Sequence, residues 1–141
     1  MILWLMLAAP ALWRCRALNT RAWALRVALG SIATTFALRA IWPGPGYALV
    51  HLLFLGGFGL ALLLIADRVS NGHGGDIAAL PARSRLWRWL VWLVLIAAAA
   101  RASADMKVSL LVSHQVYASL LWVVVAVIWA IATAPLWRRE S

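Results

Sequence analysis

The residues of this chain with the most specific chemistry are its three histidines, and two of them, His51 and His73, lie in one block at 46–75. This block opens with an apolar run of transmembrane length, carries a glycine cluster near its middle and ends in a glycine-rich loop. An apolar helix that spans lipid gains nothing structural from an ionisable side chain. An imidazole within such a helix therefore marks a candidate functional site.

The third histidine, His114, matches His51 in its position along a predicted membrane span. They lie four and six residues inside their spans, and both spans run in the same direction. At about 1.5 Å per residue, the two imidazoles are expected at nearly the same level, about 6 to 9 Å deep. Two facing imidazoles can hold a haem b between helices or supply part of a copper site. The alternative is that each is an ordinary hydrogen-bonded residue near the headgroups.

The helix face that carries His51 is predicted to be apolar and aromatic. At about 100° per residue this face includes Phe54, Leu55, Phe58, Leu62 and Ile65. Gly56 and Gly57 are predicted on the opposite side, where small residues let a neighbouring helix approach closely. The His51 face therefore suits a macrocycle, while the glycine face suits helix packing.

A copper site is the alternative to haem. Met106 lies a few residues before His114, and a thioether with imidazoles suits copper(I). His51, His114 and Met106 therefore form a candidate copper set. His73 is predicted in a cytoplasmic loop about 30 Å along a helix from His51, so the two share a ligand only if the chain folds back. From the residues alone, His73 is a loop histidine without a ligand role.

The composition identifies the class of protein. With 65% hydrophobic and 12% charged residues, the chain is too apolar for a soluble globular domain. Four apolar runs are long enough to cross a bilayer, at 22–42, 47–66, 87–104 and 108–135. Because short connections make successive helices antiparallel, we predict an all-α integral membrane protein, an up-down bundle of four transmembrane helices in a single domain, 1–141. The short apolar N-terminal segment, 1–13, is predicted to be interfacial or a truncated extra helix.

The net charge of +9 is distributed according to membrane topology. Ten of the 13 Lys and Arg residues flank one side of the predicted spans, and only Arg39, Arg101 and Lys107 flank the other. This positive-inside asymmetry places the C-terminus in the cytoplasm. Tryptophans cluster near the span ends and form aromatic belts. The partner implied by the charge is therefore the lipid bilayer and not nucleic acid.

Catalytic motifs are not evident in the sequence. It contains no P-loop, no Ser-His-Asp set and no carboxylate pair, so we expect the chain not to be an enzyme by itself. Asp67 and Arg68 end the second predicted span. They are predicted to pair with each other or with neighbouring side chains at the interface.

Two stretches of the histidine block resemble the NnrS family: 51–59 (HLLFLGGFG) and 66–74 (ADRVSNGHG). The family pattern is a histidine-led helix with a Gly-x-x-Gly-like centre, followed by an Arg-Val-(Ser/Thr)-x-Gly-His-(Thr)-Gly loop. His51 and His73 match the two motif histidines, whereas His114 is not part of this motif. The loop positions are matched by Arg68, Gly72 and Gly74. The resemblance covers most of this chain and corresponds to the C-terminal portion of a usual family member only.

Members of the NnrS family are bacterial inner-membrane proteins associated with nitric oxide and denitrification, and they are described as containing haem and copper. The resemblance implies a haem- or copper-binding subunit linked to nitric oxide or respiratory redox chemistry in the bacterial inner membrane. Its candidate metal ligands are His51, His114, His73 and Met106. One alternative is a non-catalytic accessory subunit that packs on a larger membrane enzyme complex and binds no cofactor. A small transporter or sensor that uses His73 is a third hypothesis.

Overall fold

The computed structural model describes residues 20–42, 44, 46–73 and 84–137, and within these ranges every regular element is helical. In chain order the elements are α1 (Thr20–Ile41), α2 (Gly46–His51), a π-helix called here the π segment (Leu52–Gly59), α3 (Leu60–His73), α4 (Ser84–Met106), a 3-10 turn (Val108–Leu110) and α5 (Leu111–Trp137). The elements α2, π segment and α3 form one continuous helical rod.

Four helical stretches are long and apolar enough to cross a membrane, by length and composition: Thr20–Ile41, Tyr47–Gly72, Arg85–Ala104 and Leu111–Pro135. This confirms the prediction of an all-helical chain with four helices of transmembrane length. The second helix continues well past its predicted end at residue 66, through the stretch 67–73 that was expected to begin a loop. The predicted N-terminal segment 1–13 lies outside the described residues.

The extension of α3 has a local physical cause. Asp67 and Asn71 are both 2% exposed and face the interior of the bundle one helical turn apart. The Asn71 amide donates to the Asp67 carbonyl oxygen at 2.5 Å. Since the polar side chains on this turn have partners inside the protein, the helix does not have to end where the apolar run ends.

The π segment is the least expected element of the fold. Eight residues, Leu52–Gly59, form a π-helix directly after His51, whereas π-helices are rare and occur mostly as single turns. The sequence-based face assignment assumed α-helical periodicity here, which a wider π-helix does not follow. The division of faces nevertheless matches the prediction: Phe54 and Phe58 are exposed, and Gly56 and Gly57 are buried.

The glycines of the π segment allow close packing on two neighbours. A Cβ atom added at Gly57 would lie 2.5 Å from Ile32 Cγ1 on α1, and one added at Gly59 would lie 2.5 Å from Trp122 Cζ2 on α5. Distances this short are not tolerated between carbon atoms. The missing side chains therefore let α1 and α5 approach the π segment, as small residues do in membrane helix pairs.

The core lies where α1, α3, α4 and α5 meet. Its buried members are small or branched apolar residues with one large ring: Ala24, Ala28, Leu60, Leu64, Trp87, Leu90, Val91, Val94 and Val125. Many large apolar side chains point outward instead, such as Leu62 at 65% and Ile131 at 68% exposure. Such a surface is suited to lipid, which has no unfavourable contact with apolar side chains.

Side-chain contacts between the helices follow a regular order along the chain. On α1, Arg21 contacts Asp67, and Ser31 lies against Gly56. Later residues of α1 therefore meet earlier residues of the second helical rod. The start of α1 also lies beside the start of α4, where the Trp23 and Trp92 ring centroids are 6.5 Å apart. Packing of α4 against α1, α2, the π segment and α5 makes it the central helix.

Candidate histidine site and a buried ion pair

His51 is held by a hydrogen bond within its own helix. It is the last residue of α2, its side chain is half-buried, and its Nδ1 lies 2.8 Å from the carbonyl oxygen of Tyr47. A carbonyl oxygen can only accept, so Nδ1 carries the hydrogen and donates it. In the neutral imidazole the lone pair is then on Nε2, the nitrogen that points away from the backbone.

His114 is held by a hydrogen bond between helices. It lies in the first turn of α5, is half-buried, and its Nδ1 is 2.8 Å from the Ser103 hydroxyl on α4. The same hydroxyl donates its hydrogen to the Ala100 carbonyl oxygen at 2.8 Å. Because a hydroxyl has one hydrogen, the imidazole Nδ1–H donates to Ser103 Oγ. His114 therefore also has its lone pair on Nε2.

These two arrangements have a common chemical consequence. Histidines that bind metals generally donate the second ring N–H to a carbonyl, carboxylate or water, which fixes the tautomer and the ring orientation. His51 and His114 both show this feature, through Tyr47 and Ser103 respectively. Neither hydrogen bond joins one imidazole to the other. The four residues Tyr47, His51, Ser103 and His114 are called the histidine region below.

The surroundings of His51 have the predicted apolar and aromatic character. Tyr47 is 79%, Phe54 58% and Phe58 45% exposed in the single chain. The Phe54 and Phe58 ring centroids are 5.9 Å apart, so the rings are in contact. His114 has an aromatic neighbour too, since the Tyr117 ring centroid is 6.2 Å away. The His51 face is therefore open to lipid, to a flat apolar ligand or to another protein.

The remaining candidate ligands are only partly described. Met106 is the last residue of α4, and its side chain lies outside the described part of the structure. His73, predicted within a loop, is instead the last residue of α3, and its side chain is also outside the described part. Among the residues the structure does describe, no three His, Cys, Asp or Glu side chains form a group that could hold a metal ion.

A second polar site was not anticipated from the sequence. Arg21 Nε donates to Asp67 Oδ2 at 2.7 Å, and the Asp67 side chain is only 3% exposed. The Arg21 guanidinium lies 5.9 Å from the centroid of the Trp87 ring, which is itself buried. Together with Asn71 these residues are called the Asp67 cluster below. Of the two predicted pairings of Asp67, with Arg68 or with a neighbouring side chain, the structure shows the second, with a partner 46 positions earlier in the chain.

The Asp67 cluster connects three helices. Arg21 belongs to α1, Asp67 and Asn71 to α3, and Trp87 to α4. Burial of a carboxylate is costly unless a charged partner and hydrogen bonds compensate it, and Arg21 provides both. A signal for the cluster existed in the sequence. Asp67 and Asn71 are one turn apart at the end of an apolar run, a spacing that places both on one helix face.

Comparison with known proteins identifies the family. Neither a curated protein nor a solved structure matches the chain. A family model described as "NnrS protein" matches residues 1–140, essentially the whole chain, including the segment 1–13 that precedes the described helices. The resemblance seen in the two histidine stretches is therefore confirmed and extends well beyond them. The chain belongs to the NnrS family.

Proposed function

We propose that the chain is a haem-binding membrane subunit linked to nitric oxide or respiratory redox chemistry, with His51 and His114 as the two haem ligands. It would sit in the bacterial inner membrane as an up-down bundle with a cytoplasmic C-terminus. The observation that carries the proposal is that both imidazoles donate through Nδ1, so that in the neutral ring Nε2, the ligating nitrogen, has the lone pair.

The order of contacts supports a similar depth for the two histidines, although the wider π segment rises less per residue than α5. Gly59 lies against Trp122. Counting back eight residues from each reaches His51 and His114. In an up-down bundle the second rod and α5 run in the same direction. The second rod meets α1 in reverse order, and α1 starts beside the start of α4. Ser103 near the end of α4 meets His114 near the start of α5, so α5 is antiparallel to α4.

The helices that carry the two histidines both pack on α4. The helix α2, which ends in His51, packs on α1 and α4, while α5 packs on α4 and α3. Bound haem would supply one-electron transfer chemistry. The chain would contribute ring orientation through Tyr47 and Ser103 and a water-excluding surface through Phe54.

Copper is the alternative cofactor for the same region. Met106 ends α4, and His114 follows it eight positions later, after the 3-10 turn and in the first turn of α5. A thioether together with His51 and His114 favours copper(I) over haem iron in a site of low coordination number. The copper proposal therefore differs from the haem proposal in its dependence on Met106.

The direct test is an optical spectrum of the detergent-purified chain, oxidised and then reduced with dithionite, with iron and copper measured on the same sample. We expect a sharp reduced α-band and about one iron per chain. His51→Ala and His114→Ala should each abolish the band. His73→Ala is the matched control and should retain it.

Two results would contradict the haem proposal. The first is iron-free protein that does not gain a Soret band after haem is added. The second is unchanged haem content in both His51→Ala and His114→Ala. Copper without iron, lost in Met106→Leu, would replace haem by copper at the same site.

The exposed aromatic residues favour a second function, that of an accessory subunit. Tyr47, Phe54 and Phe58 are exposed on the second helical rod and are called the aromatic stripe. Large aromatic side chains of this kind are enriched where proteins associate. An accessory subunit would co-purify with a larger membrane enzyme, and replacing the stripe by leucines would release it. Isolation of a monodisperse chain with haem and without a partner would favour the first function instead.

A further inference from the structure

The beginning of α4 carries a groove that neither proposed function uses. It is lined by Arg85, Arg88, Trp89 and Trp92 and has a volume of about 360 Å³. The spacing of these residues, i, i+3, i+4 and i+7, places all four on one stripe of the helix. Trp92 also lies against Trp23, so the groove borders α1. Its wall therefore combines two cations with two aromatic rings.

The two arginines have no carboxylate partner in the described ranges. Arg85 and Arg88 are exposed, and the structure assigns no ion pair to either of them within residues 20–42, 46–73 and 84–137. The buried carboxylate at this end of the helices, Asp67, binds Arg21 instead. Two guanidinium groups three positions apart thus line the groove with no carboxylate partner among the described residues, which makes it attractive to an anion.

The order of the residues along α4 matches the chemistry of a phospholipid. Trp92 lies about 10 Å further along the helix axis than Arg85, at 1.5 Å per residue. Guanidinium groups bind phosphate through paired hydrogen bonds. Tryptophan has an N–H for the interfacial region and a large apolar body for the acyl chain. Trp89 is 70% and Trp92 54% exposed, so both rings present area to such a ligand.

We propose that this groove binds an anionic phospholipid, with the phosphodiester on Arg85 and Arg88 and an acyl chain along Trp89 and Trp92. Charge complementarity selects this occupant. The N-terminal segment of the chain carries Arg14 and Arg16, which would be repelled from the groove. Basic pockets at the cytoplasmic side of transmembrane helices are known to favour acidic headgroups. The proposal is independent of whether the histidine region holds a cofactor.

The test is lipid retention by the full chain, measured by native mass spectrometry from detergent. The chain is supplied with phosphatidylglycerol or phosphatidylethanolamine of the same acyl composition. We expect phosphatidylglycerol to be retained at least about tenfold more than phosphatidylethanolamine. The double variant Arg85→Gln/Arg88→Gln should lose this preference. The matched control Arg39→Gln/Arg68→Gln removes the same charge from two exposed arginines elsewhere and should keep it.

A second pair of variants separates the two parts of the ligand. Trp89→Leu/Trp92→Leu should weaken retention of phosphatidylglycerol while leaving the arginines in place. Inorganic phosphate at millimolar concentration should not displace the lipid, because it cannot use the two rings. Displacement by phosphate alone would mean that the groove binds a small anion, and the lipid proposal would be wrong.

Other outcomes also decide the question. Equal retention of the two lipids by the unmodified chain would overturn the proposal. The proposal would also be wrong if the Arg39/Arg68 control lost the preference for phosphatidylglycerol to the same extent as the Arg85/Arg88 variant. If the glutamine variant does not remain monodisperse, Arg85→Lys/Arg88→Lys replaces it. Lysine keeps the charge but loses the paired hydrogen bonds, so a partial loss of preference is then expected.

Discussion

The Asp67 cluster and the histidine region place polar groups in an apolar bundle in opposite ways. In the Asp67 cluster a full charge is buried and is balanced by a second charge from a distant helix. In the histidine region two half-buried rings are held by uncharged acceptors, a backbone carbonyl and a hydroxyl. The first arrangement stabilises the packing of three helices. The second leaves one nitrogen of each ring with a lone pair, which is what ligand chemistry requires.

The largest expected effect is loss of the Asp67 cluster. Asp67→Ala leaves Arg21, whose side chain is 20% exposed, without its carboxylate. Breaking a buried ion pair by removing one partner costs about 3–5 kcal/mol, and partial exposure of Arg21 favours the lower end. We expect a large decrease in the midpoint of unfolding in detergent. Arg68→Ala, an exposed neighbour, should change the free energy of unfolding by less than about 0.5 kcal/mol.

Equal destabilisation by Asp67→Ala and Arg68→Ala would remove the distinction between the buried cluster and an ordinary interfacial charge. The variant Asp67→Asn sharpens the comparison. It retains a hydrogen-bond acceptor for Arg21 but not the charge, so it should lie between the unmodified chain and Asp67→Ala.

The second expected effect concerns the glycines that precede α3. Gly57→Ala places a methyl group 2.5 Å from Ile32 Cγ1, so α1 and the π segment must separate. Overpacking of this kind typically costs about 1–3 kcal/mol. Gly30→Ala is the matched control, because a Cβ at Gly30 meets nothing within 4 Å. It should be neutral or stabilising by up to about 1 kcal/mol through helix propensity. A stabilising Gly57→Ala would mean that the close approach at Ile32 is absent.

The two regions also differ in how well the sequence predicts them. The four apolar helices follow from the lengths of the apolar runs, since about 20 residues cross the hydrocarbon. The similar position of His51 and His114 follows from counting residues along two such runs. The Asp67–Arg21 pair does not follow, because the partners are 46 positions apart and only helix packing brings them together.

The geometry around His51 and His114 was only partly predictable as well. The π segment is not predicted by apolar periodicity, because that pattern is read with the geometry of an α-helix. The glycines at 56, 57 and 59 are the feature of the sequence that lets this wider helix pack closely on its neighbours. The hydrogen bond from His114 requires Ser103 on the preceding helix, and its existence depends on the angle of the turn between α4 and α5. Side-chain types indicated the chemistry, whereas backbone direction determined the tautomers.

A smaller effect is expected when the hydroxyl partner of His114 is removed. Ser103→Ala leaves Nδ1–H without its acceptor on α4. Loss of such a supporting hydrogen bond lowers metal or haem affinity by about tenfold or somewhat more. The measurement is haem retention during dilution, followed by the Soret band. Ser113→Ala is the control, since Ser113 Oγ donates to the Leu110 carbonyl oxygen and lies next to His114 in sequence. Equal haem loss in both variants would indicate a general effect on the start of α5.

The smallest effect on stability is expected at the exposed face of the histidine region. Phe54 is 58% exposed and contacts Phe58, so Phe54→Leu removes one ring contact and little buried area. We expect a change of less than about 0.5 kcal/mol in the free energy of unfolding.

If haem lies on this face, however, the Phe54→Leu substitution should shift the reduction potential of the haem, because the apolar surface around a cofactor sets the local dielectric. Leu62→Ala, on the same face but about three turns from His51, is the control. A shifted potential with unchanged stability would assign Phe54 to the cofactor, whereas an unshifted potential would leave this face to lipid or to a partner protein. In that case Phe54 would have no measured effect on a cofactor, and the two regions could be compared only by their contributions to helix packing, where the Asp67 cluster has the larger effect.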